Sequence, residues 1–233
     1  MFKGKNVLVV IPARSGSTGI KDKNIQKLNG KPLLAHSIIY ALKSKIVDKI
    51  IVSTDSKKYA KIAKKFKAEI PFIREKKLAG NLVPDFPVIY DSLKRCERKY
   101  LKKFDFVILL RPTSPLREKG LIEKSLILLT KGKKCTSVRA VKQTPAHPYR
   151  NWLLKKNGFI KGYERKIKEP YNLERQKLPK VYFQTGDIET IKRSTLINGS
   201  ISGENVRPLV IKNEIIDIDK IEDFKLAKSK SER

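Results

Sequence analysis

Cysteine is scarce in this chain: Cys96 and Cys135 are the only two in 233 residues. Two thiols cannot supply a disulfide framework or a thiolate metal cluster, and in a chain of this size they read as reduced residues. Cys96 falls at helical spacing with Ile89, Leu93 and Tyr100, an ordinary core position. Long apolar runs are also missing. No stretch approaches the roughly 20 residues of a membrane span, and Met1 to Lys5 lead into a strand pattern without a signal-peptide core, so a cytoplasmic protein is expected. Acid is in deficit too: 23 Asp and Glu stand against 53 Lys and Arg, a formal charge of +30.

A charge of that size makes a polynucleotide or an anionic membrane the first suspect. Its distribution argues for a solvated surface instead. Forty of the basic residues are lysine, and Lys57, Lys58, Lys61, Lys64 and Lys65 lie opposite Tyr59, Ile62, Ala63 and Phe66 on a helical wheel. The lysine-rich segments lack the interleaved aromatics that stack bases. Only nonspecific, salt-sensitive binding of RNA or DNA is expected, and no membrane partner. The length is enough to bury a substantial core as one domain with an excursion.

What the chain does contain begins at Val7. Val7 to Ile11 is an unbroken apolar, β-branched run, the pattern of a central parallel strand covered on both faces. It stops at Pro12 and opens into Ala13 to Gly19, where Arg14, two serines, a threonine and two glycines are followed by Lys21, Lys23 and Asn24. Backbone N–H groups and hydroxyls in such a loop surround phosphate oxygens while the cations supply charge. Neither the Walker spacing nor a dinucleotide fingerprint is present. An isolated Gly/Ser turn that merely ends a strand remains the alternative.

Alternating elements follow. Pro32 suits a helix start, with Leu34, Ile38, Ala41 and Leu42 as the apolar stripe. Lys49 to Thr54 predicts a second strand, and Asp55 or Ser56 caps a helix from Lys57. Ala68 to Arg74 predicts an extended run near a sheet edge, broken by Pro71. Asp85 either caps the helix that runs from Pro87 to Lys102 or accepts a hydrogen bond from a ligand. Phe104 to Leu110 is a strand ending at Arg111-Pro112-Thr113-Ser114-Pro115-Leu116-Arg117, an irregular loop at a strand's carboxyl end, where open α/β sheets bind ligands. A helix over Gly120 to Leu129 and a strand over Cys135 to Val141 complete the alternation. Thr144 to Leu178 is a proline- and aromatic-rich excursion. In Ile215 to Asp219, Asp217 and Asp219 fall on one side of an extended segment. Two such carboxylates are either a surface acidic pair or the ligands of a hard cation such as Mg²⁺. A tail helix follows Ile221, and Lys228 to Arg233 are expected to fray.

The run IPARSGSTGIKDKN, the segments VDKIIVSTD and RPTSPLR, and IDID followed by Asp223 occur in one order along the chain. Together they resemble the acylneuraminate cytidylyltransferase family, the CMP-sialic acid synthetases and their relatives acting on other nonulosonic acids. The resemblance spans Val7 to about Lys228. It implies a three-layer α/β nucleotidyltransferase fold with a mixed, mostly parallel sheet, one domain over residues 1–233, and a dimerisation arm at 144–178, hence a homodimer. It implies CTP and a 2-keto-3-deoxy sugar acid as substrates, a CMP-sugar and pyrophosphate as products, and Mg²⁺ as cofactor.

Carried over by position, Ala13, Arg14, Ser15, Gly16, Ser17, Asn24, Arg74 and Asp85 are the expected nucleotide contacts. Arg14 and Lys23 are the expected catalytic cations, and Asp217 and Asp219 the metal ligands. Arg111, Thr113, Ser114, Arg175, Gln184, Thr185, Asp187 and Glu189 are the expected acceptor contacts. The chain departs from the family pattern at five places, one of them Gly80 to Asp85, where the family has a serine-rich turn. Thr18 stands where the family has a lysine, with Lys21 as a possible substitute, and Glu75 replaces a proline. Arg111 replaces a glutamine and is expected to pair with a substrate carboxylate or N-acyl group. Thr185, Asp187 and Glu189 replace Asn, Ala and Tyr, which marks a distinct acceptor. A related enzyme with another acceptor or nucleotide, and a noncatalytic nucleic-acid-binding protein, are the competing readings.

Overall fold

The computed structural model describes residues 1–132 and 134–231. β1 (Val7–Pro12) lies inside a six-stranded sheet because its side chains are wholly apolar: Val7 to Ile11 are each 0% exposed. It is flanked in parallel by β4 (Lys49–Ser53) and β5 (Phe106–Leu109). Earlier in the chain, β2 (Lys27–Leu28) and β3 (Lys31–Pro32) form a small separate hairpin. Beyond β5 the sheet continues through β9 (Tyr182–Lys192), which is antiparallel to β5, then β6 (Ser137–Gln143) and β10 (Val206–Val210). The expected strands therefore exist, with β5 two residues shorter at its start than the apolar run.

Helices cover both faces. α1 (Leu33–Leu42), α2 (Lys57–Lys65) and α4 (Leu121–Thr130) pack with Val7, Val9, Ile11 and Ile188. α3 (Asp85–Tyr100) and α5 (Arg193–Ile197) pack with Leu8, Val10, Val107 and Ile191. Successive strand residues feed opposite cores, as a two-residue period requires. This is the three-layer α/β arrangement. Cys96 and Cys135 are free and buried, and burial pushes the Cys96 thiol up to about 12. No helix among the described residues is long and apolar enough to cross a membrane.

Three local expectations are refined. Ala68 to Arg74 runs along the edge strand β4 as expected, but pairs with it through a single parallel bridge of Glu69 to Ile51, and Pro71, which lacks an N–H, stands two residues on. Ser56, rather than Asp55, caps α2 by accepting from the Tyr59 N–H at 3.3 Å. The C-terminal helix, α6 (Ile221–Ser231), continues through Lys228 to Ser231, so fraying is not seen there; Glu232 and Arg233 lie outside the described residues. α6 is held through Ala227, which packs with Leu28, Leu33, Ile216 and Ile218. That small cluster draws the end of the chain onto the segment that follows the first loop.

By Cα proximity the chain separates into two compact units, one of Met1–Ala140 with the stretch from Thr185 onward, the other Val141–Gln184. The second unit holds a hairpin of β7 (Trp152–Leu154) and β8 (Ile160–Gly162) with the Trp152 and Tyr171 rings 4.3 Å apart. Its apolar side chains are exposed to an unusual degree: Leu154 is 77% and Phe159 70% accessible.

One of only two histidines, His36 on α1, contacts the Leu28 carbonyl at 3.0 Å through Nε2. Burial holds its pKa below the ordinary imidazole value, against the pull of the Leu28 and Lys31 carbonyls. A depressed folded-state pKa means the unfolded chain binds the proton more readily. Stability is therefore full above the unfolded value of about 6.5 and falls as pH drops through the folded value. The expected outcome is a melting temperature that declines on acidification below about pH 6.5, with a shallower decline in His36→Gln, measured by thermal melts across that range.

Candidate active site

The two ends of the chain meet at one cavity of ≈ 460 Å³ above the carboxyl ends of β1 and β5. Arg14, Ser17, Thr18, Gly19, Lys23 and Asn24 line it from the first loop, Arg111, Pro112 and Thr113 from the loop after β5, and Asp219 and Lys220 from the C-terminal segment. Lys23 joins the ends directly. Its Nζ donates to the Ile218 carbonyl and to Asp219 Oδ1, both at 2.8 Å. The Ile218 N–H donates to the Thr113 carbonyl at 2.8 Å, and Gly186 has Ser114 Oγ and Asp217 Oδ2 where a Cβ would stand. The three motifs noted in the sequence are thus stitched to one another by the Lys23 side chain and a backbone hydrogen bond.

The first loop is held from beneath. Asn24, which is buried, donates from Nδ2 to the Arg14 carbonyl at 2.9 Å. Asp55 accepts from the Ser15 N–H at 2.9 Å and from its hydroxyl at 2.7 Å. Freed from capping, Asp55 is a positioning residue that sequence patterning assigned to α2. With both its bonds removed the loop backbone loses its reference to β4. Asp55→Ala is expected to weaken binding of the CTP that the sequence resemblance implies by roughly tenfold, since hydrogen bonds to charged groups contribute about 1.5–3 kcal/mol each; calorimetric titration of the full chain checks it. Arg14 donates to Asn81 Oδ1 across the cavity mouth. Ala13 is fully buried, while Gly16 faces open space. Lys21 does not line the cavity, whereas Lys220 does.

Arg74 is 5% exposed, donates to Ser53, and burial pushes its pKa down to about 10. Asp85 is the first residue of α3 rather than its cap, and its carboxylate goes to Arg111 at 2.5 Å. The expectation for Arg111 needs correction. Its guanidinium pairs with Asp85 and, at 2.6 Å, with Glu189, so both of its arms are engaged within the protein. Burial works to lower the Arg111 pKa, but Glu189 and Asp85 outweigh it and hold it above the ordinary value. Glu189 is fully buried and also pairs with Arg139 at 3.1 Å, which removes it from the surface that a ligand reaches.

Thr185 and Asp187 share Glu189's face of β9 and are nearly as buried. Burial pushes the Asp187 carboxyl up, against Thr185 and Arg117. Arg117, in the loop after β5, went unassigned from sequence. It donates to the Asp187 carbonyl at 2.5 Å, to Ser37 Oγ at 3.0 Å and to the Arg111 carbonyl, fixing that loop to β9 and α1. Its place in the RPTSPLR motif was the available signal. Arg175 and Gln184 belong to the second unit, where Arg175 lines a cavity of ≈ 260 Å³ with His147, Arg150 and Lys180.

A cation fits the C-terminal pair in chemical terms. Ile216 and Ile218 are buried and the intervening Asp217 and Asp219 are exposed, so both carboxylates lie on one side, near Ser114 and Lys23. Among the described residues no group of three or more His, Cys, Asp or Glu gathers to hold a metal. Two carboxylates with the remaining positions left to phosphate oxygens and water is the donor set that Mg²⁺ accepts.

Residues 8–144 match the family described as Cytidylyltransferase. Over 94% of its length the chain is 35% identical to the post-translational flagellin modification protein B of Campylobacter coli, covering 92% of that protein. It is equally similar, 35% over 94% of the chain and 92% of the relative, to the CMP-N,N'-diacetyllegionaminic acid synthase of Campylobacter jejuni. Among solved structures, a CMP:2-keto-3-deoxy-manno-octonic acid synthetase complexed with CTP superposes with a TM-score of 0.72 at 15% identity, over 98% of this chain and 99% of that one.

Proposed function

The chain belongs to the cytidylyltransferase family, and we propose that it activates a 2-keto-3-deoxy sugar acid of the nonulosonate type with CTP, giving the CMP-sugar and pyrophosphate. The observation that carries this reading is the Lys23 bridge, which brings the phosphate loop and the Asp217/Asp219 segment to one cavity. In the proposed reaction the anomeric hydroxyl oxygen bonds to the α-phosphorus, the α–β phosphoanhydride bond breaks in line, and pyrophosphate leaves with its electron pair while the hydroxyl proton passes to solvent. Arg14 and Lys23 orient the triphosphate and neutralise charge as it shifts to the leaving group. The cavity is also lined by Lys220, which supplies the cation that Thr18 lacks.

Asp217 and Asp219 are the proposed holders of Mg²⁺. When bound, Mg²⁺ supplies charge neutralisation on phosphate oxygens and lowers the pKa of an acceptor hydroxyl. Thr113, which lines the cavity, and Ser114 beside it are proposed acceptor contacts. The second unit is the proposed dimerisation arm, with a second copy of the chain covering Leu154, Phe159 and the Trp152 hairpin, because apolar side chains exposed together mark an interaction surface. Arg175 and Gln184 are proposed acceptor contacts made through that arm. The cytoplasm is the proposed compartment.

The deciding assay is pyrophosphate release with CTP and a panel of eight- and nine-carbon ulosonic acids. Release with at least one of them, dependent on added divalent cation, is expected. No release with any acid, together with no CTP binding, would overturn the proposal.

A further inference from the structure

The cavity changes character along its length. Near Lys23, Gly19 and Lys220 it is cationic; near Arg74 and Asp85 it is walled by Leu78, Val83 and Val88. A planar base suits that second end. Arg74 spends Nε and Nη2 on Ser53, leaving Nη1 without a partner among the described residues. Asp85 gives Oδ2 to Arg111 and leaves Oδ1 free in the same sense, with the side chain 41% exposed. The apolar end therefore offers one donor beside one acceptor. Cytosine presents an exocyclic amine beside ring and carbonyl acceptors, whereas uracil puts a carbonyl oxygen where the amine was. A fixed carboxylate at that position accepts from the amine and repels the oxygen.

What fixes Asp85 is a chain of alternating charge. Arg139 and Arg111 grip the buried carboxylate of Glu189, at 3.1 and 2.6 Å, and Arg111 extends its other arm to Asp85 at 2.5 Å. Arg139 is itself tied to Ser202 Oγ at 2.8 Å. A buried carboxylate held by two guanidinium groups cannot move cheaply, so Arg111 is a rigid strut between the sheet and the first turn of α3. We propose that Asp85 reads the exocyclic amine of the nucleotide base, and that Arg111 and Glu189 are positioning residues that aim it. This rests on the CTP reading and adds to it the residue that separates cytosine from uracil.

The test is calorimetric binding of CTP and UTP, each with Mg²⁺ and without acceptor, to the full chain and to Asp85→Asn and Glu189→Gln. Wild type is expected to prefer CTP. Asp85→Asn, at an exposed helix start, is expected to fold and to lose that preference by on the order of tenfold or more, the worth of a hydrogen bond to a charged group. Glu189→Gln is expected to lower the preference as well, beyond any effect on melting temperature. If Asp85→Asn weakens CTP and UTP equally, or leaves the preference intact, Asp85 does not read the base and the inference falls while the proposed function stands. If wild type binds neither nucleotide, both fall. If Asp85→Asn loses the preference but Glu189→Gln changes only stability, the positioning role is overturned.

Discussion

Replacing Lys23 with alanine is expected to lower turnover by roughly 10²–10³-fold, the cost of removing one preorganised group that stabilises developing charge, while the fold survives. The two halves of this expectation come from the same geometry. The Lys23 side chain is 13% exposed and its Nζ sits between the Ile218 carbonyl and Asp219, at the point where the first loop and the C-terminal segment touch. Nothing else in the first loop bonds to Asp219 through a side chain among the described residues. Asp219, however, is 73% exposed, and ion pairs with a solvated partner contribute about 0–1 kcal/mol to stability. The core beneath, from Val7 to Ile11 and across α1 and α3, does not involve Lys23. Pyrophosphate release and a thermal melt on the same preparation separate the effects. Wild-type release from the alanine variant would remove Lys23 from the reaction; a collapsed melt would show that the bridge is structural.

Gly19→Ala is expected to be nearly as damaging, for a steric reason. A Cβ at Gly19 would overlap the backbone carbonyl oxygen of Asp219, an atom that cannot rotate away. Either the loop or the Asp217–Asp219 segment must retreat, and a displacement of about 1 Å in an oriented site costs on the order of 10²-fold in rate. Overpacking of this kind costs about 1–3 kcal/mol in stability. Gly16→Ala is the matched control, since a Cβ there meets nothing within 4 Å and its backbone is not in the left-handed region. Its melting temperature is expected to equal that of wild type. Wild-type activity in Gly19→Ala would mean that the close approach of the chain ends is irrelevant to turnover.

The parts of this site legible in the sequence are those encoded locally. An unbroken β-branched run such as Val7–Ile11 has one low-energy environment, a strand covered on both faces, and it was found there. The Pro-bracketed loop after β5 and the alternation Ile216-Asp217-Ile218-Asp219 were likewise readable, because proline and a two-residue period constrain the backbone without reference to distant residues. Ala68–Arg74 was readable as an extended run at a sheet edge, but how much of it pairs was not, because pairing depends on the neighbour's free edge and only Glu69 forms a bridge there.

Side-chain partners were a different matter. Asp55 was read from the sequence as a candidate cap for α2, and only the fold showed its carboxylate taken by the Ser15 N–H forty residues earlier. Arg111 looked like a ligand contact until β9 brought Glu189 beside it. Arg117 had no assigned role until β9, α1 and its own loop closed around it.

By itself, then, the sequence determined which segments become strands and helices, where the first loop begins, and which carboxylates share a side. Only the tertiary structure decided which charges remain free for a ligand and which are consumed within the protein. Backbone preferences act over a few residues, whereas ion pairs form between whatever groups the folded sheet places within about 4 Å, across any separation in the chain.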